Sequence, residues 1–70
     1  MNVDILKGKF KEWTGALKTK WGEITDDEWT QIGGNKDRLV GIIQQKYGRT
    51  KEQAQREVDD FCEYQGRKVS

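Results

Sequence analysis

The sequence predicts an all-α fold of about four short helices, arranged as two packed helical hairpins. Apolar residues recur at the three- and four-residue spacing of amphipathic helices. Two Thr-x-x-Glu/Gln segments have the form of N-terminal capping boxes, and no stretch alternates apolar and polar residues as strands do. A chain of 70 residues is one domain at most. We therefore expect a single helical domain over residues 1–70.

Helix 1 is predicted from about Asp4 to Trp21. Its apolar stripe consists of Leu6, Phe10, Trp13, Leu17 and Trp21. Gly22 follows as a predicted helix stop, because glycine adopts the left-handed conformation of a C-terminal cap without steric penalty.

Helix 2 is predicted to be short, from about Asp26 to Ile32, with Trp29 and Ile32 facing inward. Its start is indicated by Thr25 and Glu28, which have the spacing of a capping box. Two glycines follow this helix, and Asn35 after them is a favourable N-cap for the next one.

Helix 3 is predicted to end near Tyr47, before Gly48, and helix 4 to run from about Lys51 to Tyr64 after a second capping box at Thr50 and Gln53. The predicted apolar residues of these helices are Leu39, Ile42, Ile43 and Tyr47, then Ala54, Val58, Phe61 and Cys62. We expect residues 65–70 to form a frayed tail.

Glycines recur at intervals of seven residues, and the segment Lys20-Trp21-Gly22 is repeated as Lys46-Tyr47-Gly48. Gly8, Gly15 and Gly41 fall inside predicted helices, where each costs about 1 kcal/mol relative to alanine. We expect that they permit close packing of helix 1 against helix 3; the alternative is a flexible, opening structure.

Charge is segregated by helix although the net charge is only +1. Residues 1–22 and 35–51 each contain five basic residues, with two and one acidic residues respectively. Residues 23–34 contain four acidic residues and no basic one, and residues 52–66 contain five acidic and one basic. Many of these charges complement helix dipoles, so a solvated and internally compensated surface explains most of the pattern.

The basic residues of helices 1 and 3 form the candidate binding site, as an alternative to that compensated surface. A phosphate-binding face would use Lys7, Lys11, Lys18, Lys20, Arg38 and Lys46, with Lys9, Lys36, Arg49 and Lys51 as further candidates. Trp13, Trp21 and Trp29 could stack on bases or lie in a membrane interface, but their helical spacing favours the core.

The residues needed for common catalytic sites are missing from the sequence. It contains no histidine, one cysteine, no clustered metal-ligand spacing and no phosphate-binding glycine loop. Acidic neighbours of Cys62 should raise the pKa of its thiol, which argues against a redox role. We predict a protein that is not an enzyme, with no catalytic residues, no bound metal and no cofactor.

The expected location is the cytoplasm, because a lone cysteine allows no internal disulfide and the apolar runs are too short to cross a bilayer. The N-terminus also lacks the basic lead and apolar segment of a signal peptide. We expect a monomer without membrane contact; an unidentified protein partner is possible, and nucleic acid is the less favoured partner.

A family resemblance covers about residues 7–58. It rests on Gly8-Lys9, Gly15, Lys18, Trp21-Gly22, Thr25-Asp26-Asp27, Gly34, Lys36, Asp37, Leu39-Val40-Gly41, Gln44, Tyr47-Gly48, Lys51 and Ala54. This ordered set resembles the CsbD-like family of small bacterial general stress response proteins. The resemblance implies a compact helical protein associated with stress, and it carries over no catalytic or binding residue.

The function predicted from the sequence is therefore non-enzymatic and stress-associated. The protein would act by interaction or as an abundant protectant. The alternative is a small nucleic-acid-binding module that uses the basic faces of helices 1 and 3.

Overall fold

The structure, a computed structural model, describes residues 3–68 and the side chains of residues 6–67. This range contains four helices and no strand: α1 (Val3–Lys20), α2 (Asp26–Ile32), α3 (Lys36–Tyr47) and α4 (Lys51–Lys68). The predicted all-α fold is confirmed. α3 and α4 form the most extensively packed pair, α2 packs on α3, and α1 contacts both α3 and α4. Between α1 and α2, the rings of Phe10 and Trp29 lie with their centroids 6.3 Å apart.

Three helices begin at the predicted caps. The hydroxyl of Thr25 accepts a hydrogen bond from the backbone N–H of Glu28 at 3.2 Å, and the Glu28 carboxylate accepts from the N–H of Thr25 at 2.9 Å. Thr50 and Gln53 make the same reciprocal pair, both bonds being 3.1 Å long. Asn35 caps α3. These local side chains satisfy backbone donors that the first turn of a helix leaves free.

The two predicted glycine stops differ in conformation. Gly48 has φ +65° and ends α3 in the left-handed conformation, as predicted. The prediction is wrong for Gly22, whose φ is not positive. There the chain leaves α1 through a tight turn in which the N–H of Ile24 donates to the carbonyl of Trp21 at 3.1 Å. This turn places Ile24 in the core, so the exit from α1 needs no left-handed residue.

α4 is longer than the sequence predicted. It continues to Lys68, so the expected end at Tyr64 is wrong and residues 65–68 are helical, while residues 69–70 of the expected frayed tail lie outside the described residues. Arg67 donates to the carboxylate of Glu63 at 2.8 Å, one helical turn earlier. Such a pair stabilises an exposed helix, and no proline interrupts this segment.

The core lies where the apolar faces of all four helices meet. Its buried residues are Leu6, Trp13, Leu17, Trp21, Ile24, Trp29, Ile32, Leu39, Val40, Ile43, Ala54, Val58, Phe61 and Cys62. Every predicted apolar residue is in this set or packs against it partly buried, as Phe10, Ile42 and Tyr47 do. Ile24 and Val40 belong to the core and were not predicted.

The glycines within α1 and α3 do not pack against other helices. Gly8, Gly15 and Gly41 are exposed, and a Cβ added at any of them would meet nothing within 4 Å. The predicted close packing at these three residues is therefore wrong. Gly34 makes the close approach instead: it is buried with φ +89°, and a Cβ there would lie 3.0 Å from the Cα of Lys7. Helix α1 thus packs directly on the turn between α2 and α3.

Candidate functional site

The basic helices face the acidic helices across several ion pairs. The pairs are Lys18–Asp26 (3.1 Å), Lys46–Glu28 (2.8 Å), Arg49–Glu57 (2.9 Å) and Lys36–Asp59. Each joins α1, α3 or the turn after α3 to α2 or α4. Much of the charge that the sequence segregates by helix is therefore paired within the fold.

Lys7, Lys36 and Arg38 come together around the turn between α2 and α3. They line a polar depression of about 520 Å³ at the start of α3. Arg38 Nη1 already donates to the backbone carbonyl of Gln31 at 2.8 Å. Since Lys36 is also paired, Lys7 is the basic side chain of this depression that has no hydrogen bond or ion pair within the described residues.

The other candidate basic residues differ in what their side chains contact. Lys18 and Lys20 are two positions apart on α1, so their side chains leave the helix on nearly opposite sides. Lys20 Nζ lies 5.4 Å from the ring centroid of Trp21. Lys11 and Lys51 are exposed, and Lys9 forms a 3.5 Å pair with Glu12. By their spacing, Lys7, Lys11 and Lys18 fall on one side of α1, and Lys20 falls on another.

The three tryptophans belong to the core, as their spacing predicted. Trp13, Trp21 and Trp29 are each no more than 4% exposed. The rings of Trp13 and Trp21 pack against Phe61, with centroids 6.1 and 5.4 Å apart. Their faces are therefore not available for stacking on bases.

A second, more apolar groove lies between α1 and α4. It has a volume of about 620 Å³ and is lined by Ala16, Thr19 and Lys20 from α1 and by Asp60, Phe61, Tyr64 and Gln65 from α4. Tyr64 is 62% exposed and is the large hydrophobic side chain that the described surface leaves open to solvent. We refer to these seven residues as the α1–α4 groove.

The α1–α4 groove carries one charge of each sign. Lys20 comes from the α1 wall and Asp60 from the α4 wall, and within the described residues neither side chain has an ion-pair partner. Ala16 and Phe61 supply apolar surface in the same groove. Such a combination of apolar surface and a few placed charges suits a protein-binding surface better than a reaction centre.

Sequence reasoning identified Lys20 of this groove, but only as part of the basic set. The sequence feature that could have indicated the groove is Tyr64. This aromatic residue does not fall on the apolar stripe formed by Ala54, Val58 and Phe61.

Cys62 is the thiol of the chain, and it is buried. Burial raises the pKa of Cys62, the charge of Asp59 raises it further, and Lys36 opposes both effects. A buried thiol that holds its proton is a poor nucleophile. Among the residues that the structure describes, no three His, Cys, Asp or Glu side chains are grouped so as to hold a metal ion.

Comparison with known proteins places the chain in a family. Residues 4–56 match the family described as CsbD-like. The chain belongs to the CsbD-like family. The family match ends before Asp60 and Tyr64, so the α4 wall of the α1–α4 groove in this CsbD-like chain lies outside it.

Several bacterial relatives match most of the CsbD-like chain. It is similar to a UPF0337 protein of Bordetella pertussis, with 61% identity over 61 residues, which are 87% of this chain and 92% of the relative. UPF0337 protein YjbJ of Escherichia coli K12 is 48% identical over 87% of this chain and 88% of the relative. A UPF0337 protein of Pseudomonas aeruginosa is 46% identical over 90% and 97%.

No solved structure significantly matches this CsbD-like chain. Within the described residues, no helix combines the length and the apolar character that crossing a bilayer would require.

Proposed function

We propose that this CsbD-like protein is a non-enzymatic component of the bacterial stress response that acts by binding a protein partner through the α1–α4 groove. The observation that carries the proposal is the exposure of Tyr64 beside an apolar groove in a chain that pairs many of its charges internally. Exposed aromatic side chains next to apolar recesses are typical anchors of protein interfaces.

The same observation favours interaction over a purely protective role. A hydrophilic protectant acts through its abundance and its charged surface, so it has no need of an apolar groove with an exposed tyrosine at its edge. The association with stress in this proposal follows from the family, and the residue composition favours a cytoplasmic location.

A complementation experiment tests the proposal. A strain lacking the gene is supplied with wild type, Tyr64→Ser or Gln45→Ser at equal abundance, and its survival is measured under osmotic, heat and stationary-phase stress. Gln45 is exposed on α3, outside the groove, and provides the matched control. We expect Tyr64→Ser to fail where Gln45→Ser succeeds. Equal rescue by both folded variants would favour the protectant role and overturn the interaction proposal.

Nucleic-acid binding is the second candidate, and the meeting of Lys7, Lys36 and Arg38 at the start of α3 favours it. Binding to duplex and single-stranded DNA would be measured at several salt concentrations, with Lys7→Gln and Arg38→Gln beside Lys18→Gln, Lys20→Gln and Lys46→Gln. Phosphate contacts predict affinity that falls steeply with salt and falls further in the Lys7 and Arg38 variants. An affinity that changes neither with salt nor in the Lys7 and Arg38 variants would contradict this candidate.

A further inference from the structure

We propose that the α1–α4 groove receives a second copy of this chain, in a two-fold symmetric dimer in which Tyr64 of each copy enters the groove of the other. The inference rests on the proposed function as an interaction protein and names the partner. The dimer is reversible and forms as the protein concentration rises.

The charges of the groove are self-complementary. In a two-fold symmetric contact the same patch is used by both copies, so that residue i meets residue j and residue j meets residue i. Lys20 and Asp60 stand on opposite walls of one groove and have no ion-pair partner among the described residues. In the dimer, Lys20 of each copy pairs with Asp60 of the second copy, which gives two equivalent ion pairs.

The apolar part of the groove fits the same arrangement. Tyr64 is 62% exposed in the single chain and lies one helical turn after Asp60, so it projects from the same side of α4. Ala16 and Thr19 present small side chains on the α1 wall, which leaves room for an incoming ring. On entering the opposite groove, each tyrosine ring would bury much of the surface that it exposes in the single chain.

The size of the groove sets the strength of the dimer. Seven residues line it, whereas a stable interface uses roughly 20–30 residues a side. Small interfaces of this kind belong to weak and transient complexes. The protein is therefore the expected monomer when dilute, and it pairs as its concentration rises.

Charge argues against a membrane or nucleic acid in the same groove. Residues 52–66, which form most of α4, contain five acidic residues and one basic residue. Of these, Asp60 lies in the groove and has no ion-pair partner among the described residues, so it would repel anionic lipid headgroups and phosphate backbones. A second copy presents its own Lys20 and Asp60, which are opposite in charge to the Asp60 and Lys20 that they would meet.

Charge-reversed variants provide the test. The molecular mass of the full-length protein is measured by sedimentation equilibrium from about 10 µM to about 1 mM, the range in which weak complexes form. Lys20→Glu and Asp60→Lys each place like charges at both contacts of a homodimer, so each variant alone should dimerise at least about tenfold more weakly than wild type. An equimolar mixture of the two variants restores opposite charges at both contacts. We expect the mixture to dimerise within about threefold of wild type.

The controls separate this contact from general charge effects. Arg56→Glu and Asp27→Lys make the same two charge changes at exposed positions outside the groove, and both should dimerise like wild type. Tyr64→Ser should also weaken the dimer, and circular dichroism confirms that each variant remains helical. Wild type that stays monomeric throughout the range, or a mixture no better than its separate components, overturns the proposal.

The outcome also separates the dimer from the proposed function. If wild type remains monomeric while Tyr64→Ser still fails in the complementation experiment, the dimer is refuted and the groove serves another protein. If wild type dimerises but all folded variants complement equally, the dimer stands and the proposed function falls.

Discussion

Glu28 Oε1 lies 2.8 Å from Lys46 Nζ, which links the first turn of α2 to the last turn of α3. The same oxygen accepts hydrogen bonds from the backbone N–H and the hydroxyl of Thr25, at 2.9 and 3.0 Å. One carboxylate therefore completes a helix cap and joins two helices. The hydrogen bond from Lys46, followed by that from the Thr25 backbone, holds the pKa of Glu28 below its ordinary value.

Replacing this carboxylate by its neutral isostere should destabilise the protein. Glu28→Gln retains a side chain that can complete the capping box but loses the ion pair with Lys46. Asp26→Asn is the matched control, because Asp26 pairs with Lys18 while 87% of its side chain is exposed. We expect urea denaturation, followed by tryptophan fluorescence, to show the larger loss for Glu28→Gln. Equal losses would mean that the ion pair between Glu28 and Lys46 contributes no more stability than an ordinary surface ion pair.

Stability should also fall in acid through the same group. The pKa of Glu28 is lower in the folded protein than its ordinary value of 4.5, so the folded state binds fewer protons around that pH. Its contribution to the free energy of unfolding is therefore fully present above pH 4.5 and is lost as the pH falls through the lower folded pKa. Denaturation from pH 7 to about pH 3 should show a smaller decline for Glu28→Gln than for wild type. Identical declines would contradict this assignment.

The exposed helical glycines offer sites for stabilisation. A Cβ at Gly8, Gly15 or Gly41 would meet nothing within 4 Å, so alanine introduces no clash. Each replacement should raise the free energy of unfolding by about 0.5–1 kcal/mol, because alanine loses less conformational freedom in a helix. Thermal unfolding of the three single variants and of the triple variant measures the gains and their additivity. A loss of stability at these sites would show that they make close contacts after all.

Gly34 should respond in the opposite direction. Its φ of +89° is unfavourable for any residue with a Cβ, and the added atom would lie 3.0 Å from the Cα of Lys7. We expect Gly34→Ala to cost at least about 1–3 kcal/mol, because the strained conformation alone has a cost of this size. The same thermal unfolding measurement compares it with Gly41→Ala. A neutral Gly34→Ala would mean that α1 can move away from this turn without loss.

Sequence reasoning succeeded for the helix starts and failed for the glycines inside helices. Helix starts were predicted correctly because a cap such as Thr25 with Glu28 involves residues only three apart. Whether a glycine packs closely depends on which helix lies beside it, and spacing alone does not contain that information. The regular spacing therefore suggested contacts at Gly15 and Gly41 that the fold does not make.

The candidate site could be predicted only in part, for the same reason. The sequence shows how many charges each helix carries, but not that Lys46 reaches Glu28 on another helix. The α1–α4 groove joins Lys20 to Asp60 and Tyr64, which are far apart in the chain. These residues come together because of the angle at which α1 crosses α4. The pattern of apolar residues in the sequence does not determine that angle.

The reactivity of Cys62 provides a final prediction about the core. Burial, with a smaller contribution from Asp59, raises the pKa of the thiol, so little reactive thiolate is present near neutral pH. We expect Ellman's reagent to react with the folded protein at least about tenfold more slowly than with the protein unfolded in urea. Asp59→Asn should accelerate the reaction less than unfolding does, because burial is the larger cause. Rapid modification of the folded wild type would instead show that the α4 side of the core opens readily, since the reagent reaches a buried thiol only through such opening.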